Sequence, residues 1–176
     1  MRKMVGVVMA VLLCWGLAAS LGAQQQKAVN FKQLQEFLPK IDLPGYTKGK
    51  PTGQSSSAMG MSSSEASLRY VKDEETVEVN ISDMTGVPMA LAGLALMGAT
   101  EFENQTENGY EKSVKIQGFP GTEKAETGES KSAEIQIIVG NRFIVKVSGS
   151  GMSDATLLRK LLDSMDLAGL AKLTSQ

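Results

Sequence analysis

Met59-Gly60-Met61 sets two thioethers one residue apart between serine runs, a spacing that suits a soft ion such as Cu(I) or Ag(I). A third sulfur would have to come from Met84 or Met152, carried there by the fold. The chain contains no His that could join the thioethers, which weighs against such a site. A second chemistry open to the chain is carboxylate acid–base hydrolysis, if residues such as Asp83, Glu101 and Glu103 converge. Nucleophilic catalysis lacks its parts. Cys14 lies in the leading apolar segment, no His can act as base, and no Ser-x-x-Lys occurs. Gly149-Ser150-Gly151 looks like the start of a phosphate loop. Asp154, however, takes the last position of that pattern and would repel phosphate, so a turn followed by a helix cap explains the glycines.

The remaining candidate is physical rather than chemical. Pro88 to Ala99, PMALAGLALMGA, has no polar side chain on any face. An all-round apolar helix is buried, docked or in a membrane. Twelve residues reach only about 18 Å as a helix, too short to cross a bilayer. The segment is expected to be a crossover helix pressed on a sheet. Its contact residues toward a protein or lipid would be Met89, Leu91, Leu94 and Met97. No cofactor is expected.

Export is written into the first 23 residues. Arg2 and Lys3 are followed by an almost unbroken apolar run from Met4 to Ala19, then small residues ending at Ala23. Cleavage there predicts a periplasmic or extracellular chain. Cys14 and Trp15 leave with the segment. Removing 23 of the 176 residues leaves 153, enough for one domain without disulfides. Losing Arg2 and Lys3 takes the net charge from −1 to −3, which is no footprint for nucleic acid. No transmembrane helix is expected in the mature chain.

The elements that must position these residues follow from periodicity. Residues 24–29 read as a flexible tail. Asn30 can cap a helix to about Leu38, with Phe31, Leu34, Phe37 and Leu38 as its stripe. Residues 45–64, rich in Gly, Ser and Thr, read as a flexible loop. SLRYVK and TVEVNIS alternate as a hairpin, and 110–116 and 122–126 follow as strands around a turn at Gly118–Gly121. SAEIQIIV and RFIVKVS flank Gly140-Asn141, a two-residue hairpin turn. Ser153 is expected to cap a closing helix to about Met165, whose stripe is Leu157, Leu158, Leu161, Leu162 and Met165.

The order is α-β-β-α-β-β-β-β-α, a single α+β domain over 30–173 with an antiparallel sheet of about six strands covered by helices. In that order the chain resembles secreted bacterial proteins of the Mog1/PsbP-like fold. The resemblance implies a fold and no functional residues. The expected function is an exported, non-enzymatic binding or accessory protein whose partner is a protein or lipid of the cell envelope. A small carboxylate-dependent hydrolase and a methionine-based Cu(I)/Ag(I) binder are the alternatives.

Overall fold

Alternation of apolar and polar residues runs through most of the chain, and in the computed structural model it becomes one antiparallel sheet. Residues 27–58, 61–85, 92–93 and 100–175 are described. The strands are β1 (Thr47–Lys48), β2 (Thr52–Ala58), β3 (Met61–Lys72), β4 (Glu75–Asp83), β5 (Glu103–Thr106), β6 (Gly109–Ile116), β7 (Phe119–Glu126), β8 (Ser132–Val139) and β9 (Phe143–Ser150). The helices are α1 (Phe31–Gln35), α2 (Thr156–Asp163) and α3 (Leu167–Lys172), with a 3₁₀ turn at Leu173–Ser175. Spatial order is β1-β3-β4-β9-β8-β7-β6-β5, and β2 also pairs with β3, beside β1.

Period-two alternation sends one set of side chains to a dry face. Leu68, Val77, Val79, Ile81, Ile135, Ile137, Val145 and Val147 are buried there, together with Tyr70 and Phe143. Leu34 of α1, Leu158, Leu161 and Leu162 of α2, and Leu167 and Leu170 of α3 complete the same core. The opposite face carries Arg69, Glu78, Asn80, Lys146, Glu134 and Lys124, all at least partly exposed.

The expected α+β architecture is corrected. There are nine strands rather than about six, and the described helices are too few and too short to cover the sheet. The protein is mostly antiparallel β. Residues 45–64, read as a loop, carry β1, β2 and the start of β3. Serine supplies no hydrophobic alternation, so this strand is made by pairing with β3 rather than by its own pattern. Residues 103–106, unassigned in the sequence reading, form β5. Lys27 to Val29 are tied to the sheet, with Ala28 N donating to Ser62 Oγ (2.7 Å) and Val29 N to Asp83 (2.7 Å).

The ends of elements also shift. Asn30 does cap α1, its Oδ1 accepting from Lys32 N at 3.0 Å, but the α-helix stops at Gln35. Ala155, not Ser153, stands at the start of α2, and Asp154 Oδ1 accepts from Thr156 N at 2.8 Å. The turn expected at Gly118–Gly121 lies earlier. Gln117 and Gly118 both have positive φ, and Phe119 already pairs with Ile116. The β8–β9 loop has three residues, since Val139 pairs with Phe143. Gly140 (φ 60°) and Asn141 (φ 52°) make the left-handed bend, for which Gly and Asn are suited. Arg142 closes it, its N–H donating to Val139 O at 3.2 Å.

Candidate functional site

The three-residue β8–β9 loop delivers Arg142 to the end of β4. Asp83, the last residue of β4, is fully buried, and Arg142 is 6% exposed. The guanidinium donates from Nε (3.1 and 3.2 Å) and Nη2 (2.8 Å) to the carboxylate. Asp83 also accepts from Val29 N (2.7 Å), Thr85 N (3.0 Å) and Thr85 Oγ1 (2.6 Å). Burial pushes the Asp83 carboxyl up. The hydrogen bonds from Arg142, Thr85 and Val29 outweigh it, and the group sits below the ordinary carboxylate value. Arg142 spends its other donors on Lys27 O (2.9 Å) and Leu173 O (3.3 Å). This cluster joins both ends of the described chain to the sheet, with its charge fully used.

A second buried carboxylate lies on the same dry face at the other side of the sheet. Glu123 of β7 sits between Lys112 of β6 and Ile135 of β8 and is 2% exposed. Tyr110 Oη donates to Oε1 at 2.9 Å, and Lys112 Nζ lies 3.6 Å from the same oxygen. Arg159 of α2 brings Nη2 to 2.5 Å from Oε2. That oxygen receives no hydrogen bond of good geometry, so the Arg159 contact is Coulombic in character. Burial, then the hydrogen bond to Glu123, pushes the Tyr110 phenol up to about 12. It therefore stays protonated and donates. Phenol, carboxylate and two cations hold α2 against β6 and β7. A single carboxylate does not make the acid–base pair that glycoside hydrolysis needs.

Outside the core, the polar face forms a continuous row across the sheet. Register places Arg69, Glu78, Ser148, Glu134, Lys124 and Glu111 side by side on β3, β4, β9, β8, β7 and β6. Arg69 pairs with Glu78 at 2.8 Å, and Lys146 with Glu134 at 3.1 Å. Over this row lies an open depression of about 550 Å³ lined by Arg69, Glu78, Lys124, Glu134, Ser148 and Ser150. Along β5 and β6 a second open groove of about 780 Å³ is lined by Glu101, Phe102, Glu103, Lys112 and Lys115.

The fold disperses most of the residues singled out by sequence. Asp83 ends β4, whereas Glu103 begins β5, five strands away, so the two carboxylates lie about 24 Å apart across the ladder. Glu101 and Glu103 are exposed, and Asp83 is spent on Arg142. Met61 is 57% exposed at the tip of the β2–β3 hairpin, while Met59 lies outside the described residues. Met84 follows β4 on that side of the sheet. Met152 packs beside Gly149, opposite Val77, and Val77 is opposite Tyr70, nine residues along β3 from Met61. Met152 is therefore too far to complete a thioether site with Met61. Met89, Leu91, Leu94 and Met97 lie outside the described residues; Ala92 and Gly93 between them are helical and exposed. Among the described residues no cluster of three or more His, Cys, Asp or Glu is arranged to hold a metal ion.

The turn expected at Gly149-Ser150-Gly151 starts later: Gly149 and Ser150 are the last paired residues of β9, and the chain bends only at Gly151. Gly151 has φ 81° and donates to Lys131 O, and β9 is antiparallel to both of its neighbours. The Glu123 cluster escaped the sequence reading. Its signal was parity: Glu123 alternates with Gly121 and Ala125, which puts an acid among inward positions. Arg142 escaped because a two-residue turn would have made it an ordinary strand residue. Comparisons with protein-family models, with curated proteins and with solved structures find no match, so the functional reading rests on the chain's own geometry.

Proposed function

We propose that this is an exported, non-enzymatic binding or accessory protein of the cell envelope that works through the polar face of its sheet. The row Arg69–Glu78–Ser148–Glu134–Lys124–Glu111 carries the reading. It is a rigid, hydrogen-bonded surface of mixed charge beneath an open depression, while both buried carboxylates are committed to ion pairs within the fold. Mixed charges favour a protein partner over an anionic lipid surface, which selects for concentrated positive charge. Among the described residues no helix is long and apolar enough to cross a membrane. The basic start and apolar run before Ala23 support delivery across the inner membrane.

Two measurements test this. Intact mass of the protein recovered from the envelope should begin at Gln24, and a species retaining Met1 to Ala23 would sink the export reading. A photo-crosslinking side chain at Ser148 should capture an envelope protein that the same probe at Lys160, on α2, does not. Glu134→Lys together with Lys124→Glu should abolish that capture. Hydrolytic turnover by the purified chain, lost in Glu123→Gln, would replace this reading with the carboxylate hydrolase.

A further inference from the structure

β2 is an edge strand, and its composition is unusual for one. Among the described residues it pairs with β3 alone, and all seven of its residues are exposed. Sheet edges present unpaired N–H and C=O groups that template another strand, and natural edges are ordinarily guarded by charge, by proline or by a bulge. TGQSSSA has no charge, and Pro51 stands before the strand rather than within it. Its register with β3 runs without interruption from Thr52↔Ser67 to Ala58↔Met61, so no bulge turns it away. Its side chains are small apart from Gln54, which lets a second backbone come close.

The opposite edge of the sheet is protected. β5 has four residues, begins with Glu103 and lies beside the exposed Glu101. An open edge at one side and a short, acidic one at the other fit an assembly that closes at two.

We infer that β2 is the pairing edge for a second copy of this chain, with the two β2 strands antiparallel about Ser55. The strand is its own complement. Thr, Gln and Ser each donate and accept, and no like charges meet when two identical strands pair. In this register Gln54 lies opposite the partner's Ser56. The two-fold axis stands normal to the sheet, so both polar faces end on the same side of one continuous sheet. This inference names a partner for the edge and is independent of what binds the face.

Sedimentation velocity of the chain recovered from its host, over a range of concentrations, tests it. The wild type should show a reversible monomer–dimer equilibrium. Gln54→Lys with Ser56→Lys sets Lys against Lys twice across the axis and should weaken dimerisation about tenfold or more, with the melting temperature unchanged at concentrations where both forms are monomeric. Amide exchange gives an independent reading, in which β2 amides gain protection as concentration rises. A wild type that stays monomeric throughout would overturn the inference. A dimer that the double variant leaves intact would do the same, by placing the contact elsewhere. So would a monomer whose β2 edge instead takes up an added extended peptide, which would make the partner a peptide.

Discussion

Asp83 and Glu123 are carboxylates with almost no exposed surface, 0% and 2%, each facing an arginine, yet they are held in different ways. Asp83 receives donors from one guanidinium, one hydroxyl and two backbone amides, and its arginine is buried with it. Glu123 receives one phenolic hydrogen bond, and its cations Lys112 and Arg159 stay a third or more exposed. A buried charge becomes a fixed joint when every partner is buried and directional. It becomes an adjustable strut when its partners keep one side in water.

The largest test of that contrast is Arg142→Met. It leaves the Asp83 charge buried without its counterion and should cost about 3–5 kcal/mol in urea unfolding. A loss below about 1 kcal/mol would break the comparison. Glu123→Gln should cost less, about 1–2 kcal/mol, because water can resolvate Lys112 and Arg159 while Tyr110 keeps an acceptor.

Acid sharpens the distinction further. Asp83 titrates below its ordinary value of 3.8 in the folded chain, so its contribution is present above that value and fades as pH falls through the folded one. Thermal melts across this range should slope steeply in the wild type and less in Arg142→Met. The smallest effect lies at alkaline pH. Tyr46, Tyr70 and Tyr110 are each pushed from 10.0 to about 12, chiefly by burial. Folding therefore holds their protons, and stability should decline as pH rises from 10 towards 12. Glu123→Gln should bring the Tyr110 step, read by phenolate absorbance, down towards the ordinary value. An unmoved step would mean that burial alone sets it.

What the sequence made legible follows the strength of its periodicity. TVEVNIS, SAEIQIIV and the run after Arg142 alternate strongly, and Val79, Ile135, Ile137, Val145 and Val147 lie in the core as that pattern requires. β2 was illegible because its serines are strand residues only by virtue of the neighbour they pair with. α1 was read too long because its stripe continues into a turn. Phe37 and Leu38 still pack against or within the core, but through Phe37 N→Leu34 O and Leu38 N→Gln35 O rather than helical bonds. Both ionic clusters were hidden for a related reason. Each depends on which strands become neighbours, and local pattern does not encode strand order. Tyr110, Glu123 and Arg159 meet only because β6, β7 and α2 come together.

The grip of Arg142 on Lys27 O and Leu173 O has a consequence for chain connectivity. Residues 146 positions apart in sequence come within the reach of a single side chain. Their order along the polypeptide is thus nearly independent of the sheet they complete. A short Gly/Ser linker joining the two ends, with new termini opened between Gly128 and Ser130 in the exposed β7–β8 turn, would give a circular permutant that keeps every strand pairing intact. The arginine has then made the two ends of the described chain interchangeable with a loop.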